Sequence, residues 1–221
     1  MSLHDWSINE MFAPVWVEPG FAVCTEGVSV PLDAKDSLRL VQSESFGTGG
    51  HPKTRAALAA YRRVRSTHMG SDARVLDFCA GSGILGFYAK THCRADHVVA
   101  CVDPADFDTI AANERLNFPL NEILIPGRMC SFAEREMFAG YFDIVVTHAG
   151  CLDMVPRFEF LEKVTARTGA IIFAGHNAAT HRPIVHHLAE YFEIVEINDF
   201  SGWPVVIAQP LNSKPVKLDE N

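Results

Sequence analysis

Apolar residues follow two rhythms along this 221-residue chain. From Pro52 onward, short continuous apolar runs alternate with segments whose apolar positions repeat at helical spacing. The runs at 75–79, 98–102, 123–125, 144–147 and 170–174 predict strands buried on both faces, since a parallel sheet covered by helices has no polar side. The segments between them predict helices near 83–92, 104–117, 153–167 and 178–191. A further helix over 52–65 starts on Pro52, whose missing N–H is one of the unpaired donors of a first turn anyway. The βαβ alternation implies right-handed crossovers and a doubly wound α/β sheet. The rhythm breaks at the end. Runs at 192–197 and 205–208 follow each other without a helix, which predicts a C-terminal hairpin with one antiparallel strand and seven strands in all.

Ahead of Pro52 the pattern is irregular. Two short strands are expected around the turn Glu18-Pro19-Gly20, and further short strands at 28–32 and 37–41. The expected division is an N-terminal extension over 1–45, a Rossmann-like domain over 46–210, and a polar tail over 211–221 without regular structure.

Composition narrows the class. With 48% hydrophobic residues the chain suits one globular domain. No stretch reaches the roughly 18–20 apolar residues that cross a bilayer. The opening MSLHDWSINE lacks the basic and apolar regions of a secretory signal, so a cytoplasmic protein is expected. A net charge of −8 and a pI near 5.6 argue against broad contact with nucleic acid or anionic membranes. The six cysteines form no C-x-x-C pair and several sit in apolar runs; reduced, mostly buried thiols are expected. His176, His181, His186 and His187 are not spaced to stack on one helical face, so a solvated face is expected there and no metal site. The basic run Lys53, Arg55, Arg62, Arg63, Arg65 reads as a solvated face, with an acidic protein or RNA as the other reading.

The chemistry concentrates at Val75-Leu-Asp77-Phe-Cys-Ala-Gly81-Ser-Gly83-Ile-Leu-Gly86. A buried strand runs into a glycine turn that opens a helix, and the helix start offers free N–H groups and a positive dipole end. Gly81-x-Gly83-x-x-Gly86 also fits the dinucleotide fingerprint. Asp77 shifts the balance, because an acid at the strand's end suits an ammonium group and repels a pyrophosphate. S-adenosylmethionine carries an amino acid end and no phosphate. Asp103, ending the next strand, fits two ribose hydroxyls, a role compatible with capping the following helix.

These features, taken with Phe46-Gly-Thr-Gly-Gly-His-Pro-Lys-Thr54, Val-Asp103-Pro and Asn113-x-x-x-Asn117, resemble the bacterial methyltransferases that modify the stalk-base protein of the large ribosomal subunit. The motifs fall in family order over roughly 40–209, and the C-terminal hairpin with Trp203 fits as well. The resemblance implies a class I methyltransferase fold and S-adenosylmethionine as cofactor, with S-adenosylhomocysteine as product. It places Phe46, Gly47, Thr48, His51 and Thr54 along the donor pocket, Asp77, Gly81 and Gly83 on the amino acid end, and Asp103 on the ribose.

The chain also departs from the family. The family carries a sizeable N-terminal substrate-recognition domain, and residues 1–45 are too few for it, so the resemblance carries the donor pocket further than the ribosomal acceptor. Lys53 stands where the family has Thr. The acid expected after the third strand is replaced in Pro126-Gly127-Arg128-Met129, which leaves Met129, Cys130 or Phe132 for adenine. Val146-Thr147-His148-Ala149 stands where the family shows Ala-Asn, beside the acceptor atom. His148 is the expected base or hydrogen-bond acceptor near neutral pH, and Thr147 an orienting hydroxyl. The expected acceptor is a protein side chain, a protein N-terminus or a small molecule. Two other readings stay open: a module that binds S-adenosylmethionine without turning over, and a nicotinamide-dependent oxidoreductase.

Overall fold

The apolar runs assemble into one sheet in a computed structural model, which describes residues 13–43, 45, 47–68, 72–118, 125–127, 136–149, 152–200 and 202–211. Seven strands lie in it: β4 (Arg74–Phe78), β5 (His97–Cys101), β6 (Ile125–Gly127), β7 (Phe142–Thr147), β8 (Thr165–Ala174), β9 (Phe192–Phe200) and β10 (Trp203–Pro210). Their order is β6-β5-β4-β7-β8-β10-β9, so the chain starts at the centre, winds outward to one edge, and returns to build the other. β6, β5, β4, β7 and β8 pair in parallel, and β10 runs antiparallel to β8 and β9.

Neighbouring residues in each run face opposite cores. Val75, Val98, Ile144, Ile172 and Ile207 pack in one cluster, while Leu76, Val99, Val145, Phe173 and Val206 pack in the other. Helices α1 (Pro52–His68), α2 (Ile84–Thr91) and α3 (Phe107–Asn117) are joined by α4 (Phe158–Val164) and α5 (Ala178–Leu188). The first core holds Ala57 and Tyr61 of α1, Leu85 and Tyr88 of α2, and Ile110 of α3. The second holds Phe158 and Leu161 of α4, and Ile184 and Leu188 of α5. Burying each such aliphatic or aromatic side chain contributes about 1.5–3 kcal/mol.

β1 (Val15–Glu18), β2 (Phe21–Thr25) and β3 (Asp36–Leu40) form a separate three-stranded sheet. β1 and β2 are antiparallel about Gly20, as expected; β2 and β3 are parallel. No strand forms at 28–32. The segment between two parallel strands must travel back along the sheet, so 26–35 is its crossover, with Val28 N–H donating to Thr25 O and Leu32 exposed. Phe21 packs edge-on against Tyr88 of α2, with ring centroids 5.0 Å apart, and so seats this sheet on the main domain.

A second departure lies at 153–167. Residues Leu152–Arg157 form a 3-10 turn, α4 ends at Val164, and β8 begins at Thr165. Thr165 pairs with Phe142 and Ala170 with Ile144, so β8 carries an irregular bulge whose polar residues read as a continuing helix. The basic run of α1 is partly consumed within the chain: Arg62 Nη1 lies 2.5 Å from Glu18 and Arg63 Nη1 3.0 Å from Glu196. His176 is fully buried, stacks on Phe173, and its Nε2 lies 2.9 Å from His181 Nδ1. That corrects the solvated face expected at His176, which packs against His181 of α5 instead, while His186 is exposed as expected. No helix among the described residues is long and apolar enough to cross a membrane. Of the expected tail at 211–221, Leu211 is described, and its N–H donates to Tyr191 O at 3.4 Å; 212–221 lie outside the described residues.

Candidate active site

The carboxyl ends of β4, β5 and β7 meet beneath the start of α1 and α2. β4 delivers Asp77 and then the turn 79–83. The turn closes with Gly83 N–H donating to Ala80 O, and Gly83 N-caps α2 at φ 81°. A side chain at Gly83 is excluded twice, by that backbone angle and by Phe87, whose ring would lie 2.7 Å from a Cβ. Asp77 is fully buried under the first turn of α2. Its Oδ2 accepts from Gly86 N–H at 2.8 Å, satisfying one of the donors a helix start leaves open. Its Oδ1 has no partner among the described residues, and burial pushes the carboxyl up to about 7. Cys79, in the same turn, is exposed and holds φ 59°, an uncommon angle for a residue with a Cβ. Asp103, past the end of β5, is exposed, and its Oδ1 accepts from Ala105 N–H at 3.0 Å. It therefore caps the helical segment behind it while presenting its outer side to solvent.

The loop before α1 lies across this turn. Ser82 Oγ donates to Gly47 O. Gly47 has φ 108°, and a Cβ there would stand 2.9 Å from Ser82 Oγ and 3.3 Å from His148 Cε1, so only glycine lets the loop come this close. Thr48 is half-buried. His51 is buried, caps α1 by accepting Lys53 N–H on Nδ1 at 3.2 Å, and meets the Trp203 ring edge-on at 4.7 Å. Thr54 is fully buried, and its hydroxyl has no partner among the described residues. Phe46, Met129, Cys130 and Phe132 lie outside the described residues, as does Arg128.

His148 follows β7 and is 3% exposed. Burial, with the positive charge of Lys53 and His51 nearby, lowers its pKa to about 3. His51 is held down to about 4 by burial and by Lys53. His148 is therefore a neutral imidazole through the neutral range, not the near-neutral titrating group its unperturbed pKa suggests. Thr147 is fully buried and its Oγ1 accepts from Ala149 N–H at 3.2 Å, which shapes the turn that carries His148. No group of three or more potential metal-ligating side chains forms among the described residues.

Sequence reasoning gave no role at the site to three participants. Ser82 links the loop to the turn, Lys53 sets the field at His148, and Asn113 joins Val41 to Ser82 from within α3. The two asparagines in α3 are the one signal that pointed to the last, since Asn is a poor helix former and tends to bind backbone groups elsewhere.

Comparison with known proteins agrees with this layout. The family model described as ribosomal protein L11 methyltransferase (PrmA) matches residues 1–210. A ribosomal protein L11 methyltransferase of Staphylococcus haemolyticus is 25% identical over 189 residues, covering 81% of this chain and 55% of the relative. One from Polaromonas sp. is 33% identical over 115 residues, covering 51% of this chain and 38% of the relative. Most of these matches span only about half the length of the curated relatives. Among solved structures, the ribosomal protein L11 methylase of Lactobacillus delbrueckii subsp. bulgaricus superimposes with a TM-score of 0.73 at 21% identity, over 90% of this chain and 98% of that one. A precorrin-6y C5,15-methyltransferase of Geobacter metallireducens shares the fold at a TM-score of 0.57 and 14% identity, over 77% of this chain and 92% of that one. The chain has the class I methyltransferase fold and belongs to the ribosomal protein L11 methyltransferase (PrmA) family.

Proposed function

We propose that this chain is an S-adenosylmethionine-dependent methyltransferase that methylates an amine of a protein. The observation that carries the reading is the pair of buried, unpartnered polar atoms, Asp77 Oδ1 and Thr54 Oγ1, in the two elements that meet across the Gly47–Ser82 contact. Buried polar groups are rarely left unpaired, and a ligand with an ammonium and hydroxyls supplies partners for such a ridge. The start of α2 accommodates a carboxylate, the acid at Asp77 an ammonium, and Asp103 a ribose diol. A phosphate-bearing dinucleotide fits less well over a buried acid.

The bound donor supplies an electrophilic methyl on a sulfonium. The protein's part is to hold the acceptor in line and dry. His148, neutral and buried, accepts a hydrogen bond from an acceptor N–H. With a pKa near 3 it does not store the proton; the amine enters neutral, and its extra proton leaves to solvent after transfer. The Lys53 charge favours this, since a nearby cation lowers the pKa of an amine. The relatives' names point to a ribosomal protein as the acceptor class. A protein acceptor is the reading for this chain too, in a cytoplasmic setting.

The test is calorimetric titration with S-adenosylmethionine, S-adenosylhomocysteine and NAD, followed by transfer of labelled methyl groups into a ribosomal protein fraction. Binding of both sulfur compounds without NAD, with label entering protein, supports the proposal. Binding without transfer to any acceptor turns it into a donor-binding module. No binding of either sulfur compound overturns it.

A further inference from the structure

We infer that Asn113 is a positioning residue for the donor pocket: its carboxamide locks the 41–51 loop to the glycine turn so that the two walls stay in register. The inference rests on the donor-binding reading above.

Asn113 lies in α3 and is fully buried. Its Oδ1 accepts from Val41 N–H at 2.6 Å, where β3 hands over to the loop. Its Nδ2 donates to Ser82 O at 2.9 Å, within the glycine turn. The Ser82 hydroxyl then donates to Gly47 O. Loop and turn are thus tied in a ring, Val41 to Asn113 to Ser82 to Gly47, which the chain itself closes from 41 to 47. The loop gains a further hold just ahead of α3, where Ser45 Oγ donates to Asp106 Oδ1 in the 3-10 turn Pro104–Asp106.

Only a carboxamide completes this ring. One partner is an N–H that needs an acceptor, and the other is a carbonyl that needs a donor. An aspartate would keep the first bond and set an oxygen against the second. A leucine would leave both backbone groups unpaired in the interior.

Asn117, one helical turn further on, provides an internal comparison. It accepts from Arg39 N–H at 2.7 Å and donates to Arg39 O at 2.6 Å, pairing with β3 as a neighbouring strand would. It ties down β3 but makes no bond to the glycine turn. If α3 only holds the N-terminal sheet in place, the two asparagines are equivalent. If Asn113 aligns the pocket, they are not.

The full chain is compared with Asn113→Asp and Asn117→Ala in calorimetric titrations. The probes are S-adenosylhomocysteine and 5′-methylthioadenosine, which keeps the nucleoside and sulfur but lacks the amino acid end. Hydrogen exchange of the 41–51 amides is read alongside. Asn113→Asp is expected to weaken S-adenosylhomocysteine about tenfold, the effect of one buried hydrogen bond lost, and methylthioadenosine by less than about threefold. The 41–51 amides exchange faster while those of β4 and β7 do not change. Asn117→Ala, compared at similar loss of melting temperature, leaves S-adenosylhomocysteine within about threefold of the parent.

Equal weakening of both probes in Asn113→Asp, or an Asn117→Ala effect as large, overturns the inference. If the unsubstituted chain binds neither probe, the donor reading falls by itself. Loop exchange in Asn113→Asp then decides whether the link exists, and unchanged exchange overturns it. Should Asn113→Asp fail to fold, Ser82→Ala removes only the hydroxyl step of the ring, and the same selective loss of S-adenosylhomocysteine is expected.

Discussion

Asp77 and Gly86 are joined across the glycine turn by a 2.8 Å hydrogen bond from the Gly86 N–H to Asp77 Oδ2. The acid at the end of β4 thus caps α2 from below, and its buried carboxyl is pushed up from 3.8 to about 7. A carboxyl with a raised folded pKa holds its proton more tightly in the folded state. Its stabilising contribution is full below pH 3.8 and is lost as pH rises through 7. Between pH 5 and 8 the loss is on the order of 2 kcal/mol. Asp77→Asn keeps an acceptor for Gly86 but does not titrate. Urea unfolding at the two pH values should show the parent losing stability through this window and the variant losing about 2 kcal/mol less. Parallel pH dependence in both proteins contradicts the assignment. The variant also loses donor affinity by about tenfold if the carboxylate meets the ammonium.

The histidines act in the opposite direction. His148, His51 and His176 are held near 3, 4 and 4, each chiefly by burial. A base with a depressed folded pKa contributes stability that is full above its ordinary value of 6.5 and is lost as pH falls through the folded value. Thermal melts should therefore fall from pH 6.5 toward pH 4, and His148→Asn and His176→Asn should each flatten that fall. Turnover has its own signature. With His148 neutral throughout, the rate shows no imidazole inflection between pH 5.5 and 8. His148→Ala slows transfer by about 10- to 100-fold with the donor Kd within about threefold. An inflection near 6.5 that His148→Ala abolishes would restore the role of titrating base.

What could be read ahead of the structure follows from which interactions are local. The doubly wound sheet is legible because both faces of strands such as Val75-Leu76 and Ile171-Ile172 must be apolar, a constraint that each run carries by itself. The glycine turn is legible because its backbone geometry admits few residues. The bulge of β8 is not, because Thr165 to Gly169 are placed by the partner strand β7 and not by their own propensities. His148 stands at the end of β7 as expected, but its charge state depends first on its burial and then on Lys53 and His51, which reach it from a different part of the chain. The pairing of buried His176 with half-buried His181, where a solvated face was expected, is not legible for the same reason.

Cys79 occupies a left-handed backbone position at φ 59° inside the turn. A residue with a Cβ is strained there by about 1–2 kcal/mol, whereas glycine is not. Part of that gain is offset by the larger entropy that glycine brings to the unfolded chain. Cys79→Gly is expected to stabilise the protein by a net ~0.5–1 kcal/mol in urea unfolding. A loss of stability would show that the Sγ contact with Met154 Sδ at 4.0 Å outweighs the strain. Cys79 is also an exposed thiol, while Cys24, Cys93 and Cys101 are buried. Peptide mapping after brief alkylation should show Cys79 modified ahead of those three, and S-adenosylhomocysteine should slow it if the donor covers the turn.

The N-terminal sheet is attached through His92. Its Nε2 lies 2.7 Å from Glu18 Oε1 and its Nδ1 3.0 Å from Asp36 Oδ2, so the ring bridges β1 and β3 from the end of α2. Glu18 also accepts from Tyr88 OH at 2.9 Å and pairs with Arg62 at 2.5 Å, which makes one carboxylate the junction of β1, α1 and α2. Such a network is coupled, so removing two members costs less than the sum of removing each. His92→Ala and Glu18→Gln are each expected to lower stability by about 1–2 kcal/mol, with a coupling of at least ~0.5 kcal/mol in the double variant. Because β3 leads directly into the 41–51 loop, loosening this sheet should also speed hydrogen exchange at Val41. Strict additivity would mean that His92 and Glu18 hold the sheet independently. The attachment would then rest on apolar contacts such as Phe21 with Tyr88, and Phe21→Ala would be the variant that releases it.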